Sequence, residues 1–298
     1  MTKDDVERSR CAFFEAAMNL RKKGRGMGKI AEALEKHKKE KVIETEKLPF
    51  QKPEKLPPKR AAAEIPKDLV PEIEYDPKLV VLSAPESVDA ENFKVLRAQI
   101  LFPKDGPAPR TIMITSTFPG EGKTLISANL AASIALGINE HVLLVDCDLR
   151  RPSVHKLFGY GACLGLCEYL AGKERLEDLI MRTKVPKLSL LPAGPVPANP
   201  SELLSSNMMR SFLEEVRDRY DDRYVIIDGT PSQVTAETNV LAQYVDGIIF
   251  VIRAEKSPRD TIQRSIENLG RKKIRGIVFN GYNQSYRGYK KYYKKYYG

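Results

Sequence analysis

The chain has 298 residues, 42% hydrophobic and 30% charged, enough for one large α/β domain or two small ones, and for a sizeable core. Four cysteines without a signal-peptide pattern point to a reducing cytosol rather than a disulfide scaffold, and no apolar run approaches the roughly 18 residues of a membrane span. The net charge of +10 is uneven, with +4 over residues 1–78, −3 over 79–268 and +9 over 269–298, so a globally basic nucleic-acid binder is a poor description and the basic excess sits at the ends, above all in the tail.

In chain order, residues 1–46 read as a helical region. Asp4 and Asp5 are placed to cap a helix through Leu20, with Val6, Phe13, Phe14 and Ala17 along one side. Gly24, Gly26 and Gly28 break it, and Lys29 to Lys41 follows with only Ile30 and Leu34 at helical spacing. Two apolar turns do not hold a core, which leaves a solvated helix or a docking helix for a partner. Residues 47–78 read as a proline-rich linker, because eight of the 20 prolines fall between Pro49 and Pro85.

From Leu79 to about Gly281 short β-branched runs alternate with helical stretches. The strand candidates are Val80–Leu82, Thr111–Thr115, Val142–Asp146, Leu188–Leu191, Tyr224–Asp228, Gly247–Ile252 and Gly276–Asn280. Thr124–Leu136 and Glu202–Arg217 read as helices between them. The alternation predicts a three-layer α/β/α domain around a mostly parallel sheet. Residues 282–298 form a low-complexity tail, predicted to be disordered when alone.

Three segments carry chemistry. In TIMITSTFPGEGKTLISANLA, residues 111–131, an apolar strand runs into Pro119, Gly120, Glu121, Gly122, Lys123, Thr124 and Leu125, then a helix. The glycines let backbone N–H groups face an anion, and the helix start adds partial positive charge. Lys123 is placed to reach the β- and γ-phosphates, and Thr124 to bind Mg2+. The loop departs from the strict pattern at Thr117, where glycine is usual. In HVLLVDCDLRRP a strand ends in Asp146 and Asp148, two carboxylates suited to a metal and a proton acceptor. Arg150 and Arg151 neutralise phosphate or pair these acids; the sequence leaves both open. In YVIIDGTP a third strand ends in Asp228, the second metal-side carboxylate expected of a phosphate-loop enzyme. Asn280, at the end of the last strand, is a candidate for adenine contact or a turn asparagine.

Seven of the 13 tyrosines, Tyr282, Tyr286, Tyr289, Tyr292, Tyr293, Tyr296 and Tyr297, lie in the tail among Arg287, Lys290, Lys291, Lys294 and Lys295. The tail reads as a stacking platform for single-stranded nucleic acid, a solvated tail, or a set of phosphate acceptors for the enzyme's own site.

Together TSTFPGEGKT, LLVDCDLRRP, IIDGTP and the tyrosine tail resemble a bacterial tyrosine kinase, over roughly residues 79–298. Glu91-x-x-Lys94-x-x-Arg97 and GPVPANPSELLSS, residues 194–206, add to the resemblance. In the latter, Asn199 is placed to cap, Pro200 to take the first turn and Glu202 the capping-box position. GKIAEALEKHKKEK, residues 28–41, resembles forms associated with exosortase-type polymer systems.

The resemblance implies an ATP- and Mg2+-dependent protein-tyrosine autokinase. It phosphorylates its own C-terminal tyrosines and controls exopolysaccharide or capsule biosynthesis and export. It further implies that Asp146 accepts the tyrosine proton, that Asp148, Asp228 and Thr124 serve the metal, and that Lys123 and Arg150 act catalytically. Glu91, Lys94 and Arg97 are then the oligomerisation motif, with Lys94 where the family usually has arginine. The implied partners are a separate membrane-spanning activator of the polysaccharide co-polymerase type, further copies in a ring by tail exchange, and a cognate tyrosine phosphatase, with no nucleic acid. The implied location is the cytoplasm, at the inner face of the plasma membrane. Two rivals stand beside this reading. A partition or division-site ATPase would carry lysine where Phe118 stands and would lack the tail. A non-enzymatic nucleotide-gated adaptor would not label its tail.

Overall fold

The computed structural model describes residues 74–218, 223–254 and 256–282. They belong to the second of two compact units, Pro66–Gly298. The expected N-terminal helices, most of the linker and the tail beyond Tyr282 lie outside the described residues.

The elements are α1 (Val80–Ser83), α2 (Val88–Leu101), β1 (Thr111–Ser116), α3 (Lys123–Ala135), β2 (His141–Asp146), α4 (Val154–Leu157), α5 (Leu166–Leu170), α6 (Leu176–Leu179), β3 (Met181–Arg182), β4 (Leu188–Leu191), α7 (Pro200–Leu204), α8 (Asn207–Asp218), β5 (Arg223–Asp228), α9 (Glu237–Tyr244), β6 (Gly247–Arg253), α10 (Arg259–Leu269) and β7 (Ile274–Asn280). The seven strands form one sheet in the order β3-β4-β2-β5-β1-β6-β7. Every pairing is parallel except β3 with β4.

Helices cover both faces, as the alternation predicts. On one face Phe212 and Leu213 of α8, Leu241 of α9 and Leu269 of α10 pack against Val145, Ile227 and Phe250. On the other, Ile126, Leu130 and Ile134 of α3 pack against Ile112, Leu144 and Ile226. Burial on both faces is why β1 is a continuous buried run and not an alternating one. Most of α3 is buried all round, so its small residues Ala128, Ala131 and Ala132 let it lie close to the sheet. Each large apolar side chain buried this way contributes about 1.5–3 kcal/mol against leaving it exposed.

Two element expectations need correction. Val80–Leu82 is helix, not strand. The Asn129 amide on α3 accepts from Val81 N–H at 3.2 Å and donates to the Lys78 carbonyl at 3.0 Å, taking up backbone groups that a strand would give to a ladder. Tertiary contact thus overrides β-branched propensity. Glu202–Arg217 is two helices, because the break at Ser205 and Ser206 is stabilised by their hydroxyls. Ser205 Oγ donates to the Ser201 carbonyl at 2.7 Å, and Ser206 Oγ accepts from Met209 N–H at 3.2 Å at the start of α8. Asn199 does hold the N-cap position of α7 with Pro200 following, but its side chain makes no capping bond.

Candidate active site

The carboxyl ends of β1, β2 and β5 bring the predicted residues to one edge of the sheet. Asp146 and Asp228 are direct register partners on adjacent strands, and Ile114 of β1 is Asp228's partner on the other side. The turn after β5 is fastened to β1 by Gly229 N–H to the Ile114 carbonyl at 2.9 Å and Ser232 N–H to the Ser116 carbonyl at 2.8 Å. Ligands of open parallel sheets bind at this edge.

The loop from Thr117 to Gly122 leads directly into α3. Gly122 has φ of 100°, and a Cβ there would lie 2.1 Å from Asn280 Nδ2, so both backbone and space require glycine. Asn280 donates from Nδ2 to the Glu121 carbonyl at 2.8 Å, which places it against the phosphate loop. Glu121 is fully buried. A carboxylate in an anion-binding loop repels phosphate unless it is turned away and satisfied. Here it accepts from Phe118 N–H at 2.7 Å and from Ser257 Oγ–H at 2.6 Å, tying the loop to the segment after β6. Lys256 Nζ donates to the Pro119 carbonyl at 2.7 Å, and Arg253 Nη1 to the Gly120 carbonyl at 3.2 Å. Ser257, Lys256 and Arg253 carry no motif that a sequence reading detects.

Lys123 is buried, 6% exposed, and its charge counters the burial that raises the pKa of both Asp148 and Asp228. The nearby Thr124 hydroxyl also lowers the pKa of Asp228, and Ser127 Oγ donates to Asp228 Oδ1 at 2.9 Å. Asp228 Oδ2 is buried without a partner among the described residues. A buried, unpaired carboxylate oxygen beside a hydroxyl fits a divalent cation or its water shell. No cluster of three or more His, Cys, Asp or Glu suited to a metal occurs among the described residues. Mg2+ does not need one, since one or two carboxylates, substrate phosphates and water complete its octahedron. Cys163 and Cys167 are free thiols, and that of Cys167 is pushed up to about 12 by burial and by Glu168.

Asp146 is fully buried. Its Oδ1 accepts from Asp148 N–H, and its Oδ2 from Ser153 N–H and Val154 N–H, all at 3.1 Å. Burial and the neighbouring Asp228 nevertheless raise its pKa well above the carboxylate range. Asp148, raised mainly by burial, is the one carboxylate of the three that reaches solvent, at 8%. Arg150 is turned away from all three. It donates from Nε and Nη2 to Glu237 Oε1 at 3.0 and 2.9 Å and from Nη2 to Ser201 Oγ at 2.9 Å, joining α7 and α9 behind the site. Nothing in the sequence marked Glu237, which is 2% exposed, as that partner.

Farther off, on α2, Glu91 pairs with Lys94 at 3.0 Å, and Arg97 Nη1 donates to the Ser133 carbonyl at 2.7 Å. Val88, Val95 and Phe102 are exposed at seven-residue intervals along that helix and its end. Of the tail tyrosines only Tyr282 is among the described residues, and it is exposed; Tyr286, Tyr289, Tyr292, Tyr293, Tyr296 and Tyr297 lie outside them.

The buried carboxylates have a consequence for stability. Burial raises Asp228 to about 6. An acid whose pKa is higher folded than unfolded loses stability as pH rises from about 4 to about 6, because the unfolded chain releases the proton first. The nucleotide-free protein is expected to be more stable at about pH 5 than at about pH 8 from this group. Asp228→Asn is expected to gain about 1–3 kcal/mol at the higher pH. Urea melts of both proteins at the two pH values check this, and equal stability at pH 8 would show that the buried charge is already compensated.

Comparison with known proteins places this geometry in context. The sequence model of the AAA domain matches residues 109–274. The tyrosine-protein kinase YwqD of Bacillus subtilis is 34% identical over 205 residues, 68% of this chain and 85% of that protein. The putative tyrosine-protein kinase EpsB of Ralstonia nicotianae is 35% identical over 222 residues, 73% of this chain but only 29% of that protein. The kinase domain of the Escherichia coli tyrosine kinase ETK superposes with a TM-score of 0.62 at 32% identity, covering 70% of this chain and 83% of that domain.

Proposed function

Because the chain belongs to the bacterial tyrosine-kinase family, we propose that it transfers the γ-phosphoryl group of ATP to the tyrosines of its own tail, and that this sets the assembly state on which exopolysaccharide or capsule synthesis and export depend. The observation that carries the reading is the exit of the tail. Asn280, two residues before Tyr282, is bonded to the phosphate loop, so the acceptor segment leaves the domain at the catalytic edge.

In this reading the N–H groups of Gly120 to Thr124 cradle the phosphates, and Lys123 stabilises the charge that develops on the transferring group. Thr124, Asp148 and Asp228 hold Mg2+, directly or through water. Held by these residues, Mg2+ would supply positive charge against the phosphates. Asp146 takes the phenol proton. A tyrosine hydroxyl has a pKa of about 10, and burial has already made this carboxylate a stronger base than an exposed one. Its three N–H bonds orient it and pass to the incoming ligand or to water when the loop from Asp148 to Val154 adjusts. Arg150 acts from behind, by fixing that loop to Glu237. Asn280 braces the phosphate loop through the Glu121 carbonyl, and in this reading it is also the residue that contacts adenine.

No helix among the described residues is long and apolar enough to cross a membrane. We assign the membrane-spanning activator to a separate chain that recruits the kinase to the cytoplasmic face, with a tyrosine phosphatase resetting the tail. Mass spectrometry of the full chain after Mg-ATP tests the central claim: several tail tyrosines gain phosphate. A tail that stays unmodified while ATP is hydrolysed would favour the ATPase reading.

The tail also supplies a charge switch. Residues 282–298 carry five cations and no acid, and each phosphotyrosine adds about −1.5 to −2. The unmodified tail is attracted to a neighbour's Asp146, Asp148 and Asp228, whereas a tail with three phosphates is near neutral or negative and is released. Seventeen residues extend to at most about 60 Å, long enough to reach a second subunit. The contact involves Glu91, Lys94 and Arg97, with Val88, Val95 and Phe102 as the apolar stripe beside them. Light scattering should show an oligomer that dissociates after Mg-ATP. Unchanged mass with most tyrosines modified would rule the switch out.

A further inference from the structure

The charge of this protein is segregated along the fold. Residues 79–252 hold 17 Lys/Arg against 21 Asp/Glu, a net −4. Residues 253–282, which contain α10, β7 and the turns around them, hold eight against three, a net +5. Residues 283–298 add five cations and no acid. Of the eight in residues 253–282, Arg253 and Lys256 are engaged with the phosphate loop and Lys273 with the end of α9. Arg259, Arg264, Arg271, Lys272 and Arg275 lie on α10, β7 and the turn between them, at one edge of the sheet, since β7 is the outermost strand beyond β6.

That edge is also apolar. Ile277 and Phe279 are exposed by 46% and 66%, and Tyr282 by 65%. An open edge strand with bulky apolar side chains is a site that proteins ordinarily blunt or cover. Between α10 and β7 runs a groove of about 470 Å³. Its floor is Ile262, Ile266, Ile274 and Ile277, with Arg259, the first residue of α10, and Arg271, two residues beyond its last, in the lining. Arg259, Arg264, Lys272 and Arg275 make no ion pair among the described residues, and Arg271 has only the exposed Glu267.

We infer that this edge docks the kinase directly on a bilayer rich in acidic headgroups. Guanidinium groups pair with phosphate oxygens in two-point contacts, and an isoleucine floor between them takes the apolar region below the headgroups. A nucleic acid would satisfy the arginines but has nothing to place on an aliphatic groove, where stacking rings are wanted. The rest of the domain, at net −4, is repelled by the same surface, so the field orients the molecule edge first. The phosphate loop lies at the carboxyl end of the strands and meets this segment only at Arg253, Lys256 and Asn280, the last residue of β7, so docking through α10 and the length of β7 leaves the site open. This docking needs no kinase activity. Only its corollary rests on the kinase reading: phosphates on the tail cancel the cations of residues 283–298 and loosen the attachment.

The test is sedimentation of the full chain, without nucleotide, with vesicles of phosphatidylcholine alone or with about one-third phosphatidylglycerol. Binding is expected to the acidic vesicles and not to the neutral ones, and to fall steeply between low and high salt. Each basic side chain near such a surface strengthens partition by about fivefold. Arg259→Glu combined with Arg271→Glu should therefore weaken binding at least about tenfold. Ile277→Asn combined with Phe279→Asn should weaken it at unchanged charge. Lys104→Glu combined with Lys173→Glu, exposed residues outside the edge, should bind nearly as wild type. Unaltered thermal midpoints identify variants that are folded. Equal binding to both vesicle types, or none to either, would overturn the inference. So would edge variants that bind as wild type, off-edge variants that lose as much as the edge pair, or displacement from vesicles by single-stranded DNA at equal phosphate. Subsequent Mg-ATP tests only the corollary, so its failure leaves the docking result standing.

Discussion

Lys123→Met is expected to fold and to lose phosphate transfer to the tail by at least about 10²–10³-fold, the scale of removing one preorganised charge-stabilising donor. Methionine is unbranched, flexible and one atom shorter than lysine, so the buried space that the lysine stem occupies stays largely filled. What disappears is the charge that lowers the pKa of both Asp148 and Asp228. Without it these acids retain their protons to higher pH, and the site approaches neutrality just where the γ-phosphate needs cations. Nucleotide affinity should weaken together with turnover, because the same ammonium contacts ground-state phosphates. Phosphotyrosine measured by mass spectrometry after Mg-ATP checks this. A variant that keeps a tenth of the wild-type rate would show that Lys123 does not supply the main electrostatic stabilisation.

Asp146→Asn is expected to lower the rate by about 10²–10⁴-fold, the range for a general base, while nucleotide binding is retained. The two effects are separable because Asp146 contacts backbone N–H groups of its own loop and not the phosphate loop. An asparagine oxygen can still accept from Ser153 and Val154, but its amide then faces the Asp148 N–H as donor against donor, a cost of about 1–3 kcal/mol. A stability measurement alone would therefore not identify the base. The discriminating readout is the pH profile: the wild type should gain activity with pH as Asp146 loses its proton, and the variant should be flat across that limb. Asp148→Asn should instead shift the Mg2+ requirement. If Asp146→Asn keeps the wild-type rate, Asp148, the carboxylate that reaches solvent, is the base.

What the sequence determined by itself was everything written in consecutive residues. Thr111–Ser116, His141–Asp146 and Arg223–Asp228 are strands buried on both faces, so their signal is an unbroken apolar run that needs no partner to be recognised. A carboxylate or a Gly-Lys-Thr at the end of such a run lands at the carboxyl edge of a parallel sheet, because parallel strands all end on the same side. Lys123, Thr124, Asp146, Asp148 and Asp228 were legible for that reason. The tail was legible as composition alone.

The tertiary structure decided whatever depends on a partner far along the chain. Arg150 meets Glu237 across 87 positions, and Asn280 meets the Glu121 carbonyl across 159. Glu121 reads as one more polar residue of a phosphate loop until burial shows its carboxylate turned to Phe118 and Ser257. Val80–Ser83 is helical because Asn129 on α3 takes up the neighbouring backbone groups, an outcome that local β-branched propensity points away from. The same holds for the edge. Ile277 and Phe279 belong to a run that reads like any buried strand, and only their place in β7, outermost in the sheet, leaves them exposed among cations. Periodicity and propensity are summed over a few neighbouring residues, whereas hydrogen-bond partners and strand order are set by which surfaces meet once the chain has closed on itself.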